Sequence, residues 1–337
     1  MRIFSLVVIV CGWIAPLSAM QKGHSEGDVE LIGVKTIQYE DTARRRPMLI
    51  ELWYPTDAVN ATQEPNDSIW IHPQEARNSP VAECCQEFPL IIMSHGHKGD
   101  RREGSWLAKR LVHSGYIVAA VEHYGNTRTQ FNPLISLQFW ERARDISAAI
   151  DHLLSESFLS GRINSERIGF VGYSLGGMTG LGLGGATVDS IEQLIAQTAG
   201  KHGDIKLEGI SKESLEEAKK PIQDRRIRSM LLICPASFVY TSESLKKIRI
   251  PIGLIAAPKD EVLPYQEHAF RIIKYLMPAK LKVMKDEISH YAFLNPLSKK
   301  GMKHLGKYFH TKSHPYDRLS VHQEVGTFAV DFFKEFL

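Results

Sequence analysis

The sequence predicts an α/β fold, a mostly parallel sheet of about eight strands flanked by helices, on three observations. Short, continuous apolar runs alternate with helical stretches between residues 89 and 284. One of these runs leads into VGYSLGGM at 171–178, a serine set between glycines. Ahead of them all, two strand-like segments flank a charged turn.

Taken in chain order, the first segment reads MRIFSLVVIVCGWIAPLSA, with Arg2, an apolar run from Ile3 to about Leu17, and small residues at Ser18 and Ala19. That layout predicts a secretory signal peptide over 1–19, because the run is short for a membrane span and Pro16 stands near its end. An uncleaved anchor is the alternative. Export to the periplasm or the cell exterior follows from the first reading, leaving 20–337 as the domain proper.

Val29–Tyr39 and Met48–Tyr54, joined by EDTARRR, predict an antiparallel hairpin. A polar stretch with four prolines from Pro55 to Pro80 follows and reads as a surface excursion with little structure of its own. Buried strands are then expected at 89–94, 116–122, 167–173, 229–236, 251–257 and 281–284. Helices are expected over SWLAKRLVHSG, LISLQFWERARDISAAIDHLLS, HAFRIIKYLM and VHQEVGTFAVDFFKEFL.

Residues 187–228 break this rhythm. More than forty positions stand where a helix should lead straight to the next strand; Ile191, Leu194, Ile195 and Thr198 recur at helical spacing, and SKESLEEAKK follows. We expect a helical cap insertion here, with a plain surface pair of helices as the alternative.

Composition narrows the partners. Lys and Arg number 41 against 38 Asp and Glu, and no basic stripe with interleaved aromatics runs through the chain, so nucleic acid is not expected. The four cysteines are Cys11 in the apolar leader, Cys84, Cys85 and Cys234. Cys234 could bridge Cys84 or Cys85, or all three could stay reduced. His95 and His97 stand two apart in SHGHKGD without a third ligand at a recognisable spacing, so no metal is expected.

Ser174 follows the buried run RIGFVGY and precedes LGGMTGLGLGGA. A nucleophile on a sharp strand-to-helix turn needs small neighbours, and Gly172 and Gly176 meet that need. A serine hydroxyl also needs a base, oriented by a carboxylate. In the order Ser, acid, His, the acid is Asp260 in PIGLIAAPKDEVLP, with Glu261 in reserve and Asp286 weaker; the base is His290 in LKVMKDEISHYAFL, with His322 as a fallback. An oxyanion needs two N–H donors, expected from Leu175 after the serine and from His97 after the His95–Gly96 turn.

FPLIIMSHGHKGDR, YIVAAVEHYGNTR, FWERARDISAAIDHLL and RIGFVGYSLGGMT together resemble the α/β-hydrolase family that contains the predicted dienelactone hydrolases and the platelet-activating-factor acetylhydrolases. The likeness covers roughly 29–180 and, more loosely, 229–295; the insertion is unmatched. It implies the α/β-hydrolase fold and a serine esterase or lipase with a Ser174, Asp260, His290 triad, no cofactor and a small-molecule or lipid ester as substrate. Dienelactone hydrolases proper use a cysteine nucleophile, so Ser174 argues against that activity. Competing expectations are a lipase or phospholipase A with transient membrane contact and a noncatalytic binding protein on the same scaffold.

Overall fold

A computed structural model describes residues 31–62, 68–84, 86–188, 209–276, 278–309 and 317–337. The leader expected over 1–19 and residues 189–208 of the expected cap lie outside the described residues.

The hairpin forms from β1 (Ile32–Asp41) and β2 (Arg46–Tyr54), paired antiparallel from Gly33–Tyr54 to Asp41–Arg46. Then come β3 (Glu75–Arg77), β4 (Phe88–Ser94), β5 (Ile117–Glu122), β6 (Ile163–Tyr173), β7 (Ile227–Ile233), β8 (Ile252–Ala256) and β9 (Ala279–Val283). Among the described residues these nine strands make one sheet in the order β3-β1-β2-β5-β4-β6-β7-β8-β9, parallel from β5 to β9. From β4 the chain crosses to β5 on one side, and β6 lies on the other. That reversal opens a crevice at the carboxyl ends of β4 and β6, where ligands of open α/β sheets bind.

Both faces of the sheet are covered, which is why its strands read as unbroken apolar runs. Leu90 and Ile92 of β4 pack on one face, with Trp140, Ile146 and Ile150 of α3 (Trp140–Ser155) and Met178 and Leu181 of α4 (Leu175–Leu183). Ile91 packs on the other, with Leu107 and Leu111 of α1 (Ser105–Val112) and Val325, Phe332 and Phe333 of helix Arg318–Phe336.

The sequence reading needs two corrections. The proline-rich excursion is not wholly irregular, since β3 adds a three-residue parallel edge to β1 through Ile32–Glu75 and Val34–Arg77. A strand of three residues carries no period to read. The long helix expected after Phe131 is two: α2 (Pro133–Leu137), capped by Asn132, ends at the non-helical Gln138 (ψ 58°), and the break turns Phe139 and Trp140 into the core. Of the two states the sequence left open for Cys234, the structure has the buried free thiol. Of the insertion, the described part holds helix Lys212–Lys219, tied to α3 and its approach by Ser214 Oγ to Gln138 Oε1 (2.9 Å) and Arg144 Nη2 to Glu217 Oε2 (2.9 Å).

Helix Arg318–Phe336 is pinned by a polar stack. The His322 ring lies flat on Trp106 at 3.9 Å, and its Nε2–H donates to the Leu294 carbonyl (3.1 Å). Burial, then the Arg318 charge, pushes His322 down from about 6.5 to about 3; burial and Arg142 push His123 down to about 3. Both histidines therefore bind their proton in the unfolded chain before they bind it in the fold. The stability these two rings contribute is full above pH 6.5 and falls as pH drops towards 3, by at most about 1.4 kcal/mol per pH unit for each ring. Thermal midpoints measured from pH 7 to 4 are expected to fall, and His322→Phe, which keeps the stack but cannot titrate, should fall less steeply.

Candidate active site

β6 ends at Tyr173 and α4 begins at Leu175, so the chain must reverse within Ser174. Ser174 does so at φ 55°, ψ −114°, outside the regions a β-carbon tolerates well. Such backbone costs about 1–3 kcal/mol and persists only where its surroundings enforce it. Here the Ser174 N–H donates to Ile233 O (2.9 Å), and its carbonyl accepts from Gly177 N–H (2.9 Å) and Ala236 N–H (3.0 Å).

The glycines flanking the serine are sites of backbone contact. A β-carbon on Gly172 would stand 2.3 Å from the Gly176 carbonyl oxygen, and one on Gly176 would stand 2.0 Å from the Ser94 carbonyl oxygen at the end of β4. The turn is thus pressed against the next strand's carboxyl end.

The structure brings Ser174, His290 and Asp260 together. Ser174 Oγ lies 3.1 Å from His290 Nε2, and His290 Nδ1 lies 2.7 Å from Asp260 Oδ2, with all three side chains buried. Asp260 follows β8, and its other oxygen accepts the N–H groups of Val262 (3.0 Å) and Leu263 (2.6 Å), which fixes the carboxylate's plane. His290 opens a short 3-10 turn, His290–Phe293, and Tyr173 Oη donates to its carbonyl (3.0 Å). The two loops are joined by the Lys259–Ser289 bridge and by Lys259 N–H to Ile288 O (2.9 Å). With Nδ1–H directed at the carboxylate, Nε2 is left to accept a proton from the serine.

The reserve candidates stand elsewhere. Glu261 accepts the backbone N–H of His290 (3.3 Å), Asp286 is exposed, and His322 is engaged with Trp106 and Leu294. The Cys234 thiol lies beside the triad, its ligand atom within 4.8 Å of those of Asp260 and His290. The 2.7 Å hydrogen bond already spans the facing atoms of the latter two and leaves no gap between them for an ion.

Leu175 is the first residue of α4, and His97 sits in the loop after β4, two residues past His95. That loop lies against the serine, since a β-carbon on Gly96 would stand 3.3 Å from Ser174 Cβ. His97 packs edge-on to Phe131 (5.4 Å). His95 turns inward, with Nδ1 donating to its neighbour's carbonyl at Gly96 (2.7 Å) and Nε2 accepting His123 N–H (3.1 Å). Burial, followed by Arg142, pushes its pKa well down and keeps the ring neutral.

Sequence reasoning missed the charges beneath this loop. Glu103, Arg142, His123 and Asp145 are all buried. Burial, then Asp100, pushes Glu103 above the ordinary carboxylate range. Asp145 is held low despite its burial by the His123 hydrogen bond and the Arg46 charge; Arg44 and Arg46 both bond it at 2.9 Å. A signal existed: Arg142 and Asp145 fall three apart on the stripe of α3 that also buries Ala143, Ile146 and Ala149. Charges on an apolar helix face are paired inside.

Comparison with known proteins agrees with this architecture. A ferulic acid esterase from Streptomyces cinnamoneus superposes with a TM-score of 0.61 over 93% of this chain and 92% of that one, at 17% identity. The family model for platelet-activating factor acetylhydrolase, isoform II, matches residues 72–132, the stretch that carries the His95–Gly96 turn. A bis(hydroxyethyl) terephthalate hydrolase of Streptomyces coelicolor is 31% identical over 90 residues, 27% of this chain and 26% of that enzyme. Cutinase est1 of Thermobifida alba is 31% identical over 92 residues, 27% of this chain and 28% of that one. The matched stretches thus span little more than a quarter of these curated relatives. The chain has the α/β-hydrolase fold.

The turn's geometry makes a direct prediction. Gly176→Ala must push α4 off β4 and is expected to cost roughly 2–3 kcal/mol or more in urea unfolding. Gly161→Ala, with φ 68° but open space around it, should cost about 1–2 kcal/mol.

Proposed function

We propose that the protein is an exported serine hydrolase that cleaves carboxylic esters through an acyl-enzyme. The observation that carries this reading is the chain of contacts from Ser174 Oγ to His290 Nε2 (3.1 Å) and from His290 Nδ1 to Asp260 (2.7 Å), built on a strained turn.

Ser174 Oγ attacks the ester carbonyl carbon while His290 Nε2 takes its proton. Asp260 holds the ring's orientation and favours its charged form. The carbonyl oxygen becomes an oxyanion, met by the N–H groups of His97 and Leu175. Collapse of the tetrahedral species breaks the ester C–O bond, and His290 returns the proton to the departing alcohol. Water, activated by the same imidazole, then releases the acid and frees Ser174.

Export is supported by the leader's charge, apolar run and small residues at Ser18 and Ala19. The 187–228 insertion follows α4, the nucleophile's own helix, and we assign it the part of a cap that limits what reaches Ser174.

The test is hydrolysis of p-nitrophenyl esters of increasing acyl length, with fluorophosphonate labelling read by peptide mass. Labelling is expected at Ser174, and Ser174→Ala should lose on the order of 10⁴-fold or more in kcat. Undiminished turnover in that variant would refute the assignment. Rates rising sharply only above the substrate's aggregation threshold would shift the reading to a lipase.

A further inference from the structure

Two buried ionisable side chains take no part in the proposed chemistry, yet both grip the loop after β4. Glu103 Oε1 accepts the N–H of Gly96 (3.0 Å), and Oε2 accepts the N–H of Asp100 (3.2 Å). A β-carbon on Gly99 would stand 2.3 Å from Glu103 Oε2, so residues 96–100 are wrapped around this one carboxylate.

Arg142 grips the same loop from α3. Its Nη2 donates to the His95 carbonyl and to Ser94 Oγ (3.2 Å), and Nη1 donates to Asn126 Oδ1 (3.2 Å). Its Nε donates to Thr179 Oγ1 (3.1 Å), and the Thr179 hydroxyl donates to the Leu175 carbonyl (3.2 Å). One planar guanidinium therefore joins the loop that carries His97 to the helix that begins at Leu175. Its fork of N–H groups is rigid, so it sets a distance as well as a contact.

A second serine–histidine–aspartate chain stands behind it. Ser94 Oγ lies 2.8 Å from His123 Nε2, and His123 Nδ1 lies 3.0 Å from Asp145 Oδ2. Ser94 is 3% exposed, His123 and Asp145 are 0% exposed, and Ser94 Oγ is also held by Arg142. No ester reaches a serine so enclosed; this chain anchors Arg142's surroundings.

We propose that Arg142 and Glu103 are the positioning residues of the oxyanion site, Arg142 fixing the separation of its two donors and Glu103 the path of the loop that supplies one of them. The inference rests on the esterase reading. Misplacing a donor by about 1 Å costs on the order of 10²-fold in rate, and the loss falls on the transition state rather than on substrate binding.

The test uses the full chain with paired p-nitrophenyl oxo- and thionoesters. Sulfur is a poor acceptor for N–H donors, so an intact site favours the oxoester and a loosened one discriminates less. Thr179→Val cuts the link between Arg142 and the nucleophile's helix at nearly constant shape; Thr179→Ser keeps it. Thr179→Val and Glu103→Gln are each expected to lower kcat roughly tenfold or more with KM little changed, and to lower the oxo-to-thiono rate ratio; Thr179→Ser should restore both. Should Glu103→Gln fail to fold, the Thr179 pair decides. Folded variants with wild-type kcat, a fall in kcat at the wild-type ratio, or a loss that Thr179→Ser fully shares would each overturn the inference and leave the esterase reading standing. A wild-type chain that hydrolyses neither ester overturns both.

Discussion

The site depends on one backbone contact, the approach of the Ser174 turn to the end of β4. A β-carbon at Gly176 has no room because the Ser94 carbonyl is already there. The contact places the reversal after β6 beside the loop after β4, at the point where the sheet's connections change direction. It also explains the density of glycine in α4, which helix propensity alone would disfavour by about 1 kcal/mol per residue. A β-carbon on Gly177 would strike Pro235, and one on Gly180 would strike Phe170 and Leu232. Local helix stability is given up so that the helix can sit tight against strands on either side of it.

The charges beneath the loop follow a different logic. A buried ion costs several kcal/mol unless its hydrogen bonds are complete, and a complete buried network is weak evidence for net stability. Asp145 meets that condition, bonded by Arg44, Arg46 and His123. Arg142 meets it with four oxygen acceptors. Apolar packing would hold these elements together as well, but it does not set direction. Hydrogen bonds to a specific carbonyl and a specific N–H do, and this network's bonds converge on Ser94, His95, Gly96 and Asp100.

The sheet was legible in the sequence because its strands are buried on both faces and read as uninterrupted apolar runs; β4 to β8 lie within a few residues of where those runs fall. The hairpin was legible from alternation and a charged turn. β3 was not, because three residues carry no period, and the break at Gln138 was not, because apolar residues continue straight across it. Ser174, Asp260 and His290 could be picked out by type and order along the chain. Their meeting could not, since it joins positions 30 and 116 apart. Arg142 could be suspected from its place on the apolar stripe of α3, but its partners could not, since the His95 carbonyl is 47 residues away; Glu103 reads as one more charge in a polar turn.

The two faces of the sheet bear on different halves of the site. On one face α3 carries Arg142, which reaches through to the loop after β4 and to α4. On the other, α1 and helix Arg318–Phe336 hold the histidine's loop: Trp106 Nε1–H donates to Phe293 O (2.8 Å), Arg318 to Tyr291 O (2.7 Å) and Leu294 O (2.9 Å), and His322 to Leu294 O. The proposed base is therefore positioned from one layer, whereas the loop that carries His97 is gripped from both, by Arg142 of α3 and by Glu103, two residues ahead of α1. Disturbance of α3 reaches the loop through Arg142, while the Glu103 segment touches both halves, since its carbonyl also accepts the Asn295 N–H (2.8 Å). Damage to the histidine's supports should impair proton transfer, whereas damage beneath the loop should impair charge stabilisation. The short turn at Ser174 and the Glu103 segment couple the two halves, and the Lys259–Ser289 bridge ties the proposed acid's loop to the proposed base's.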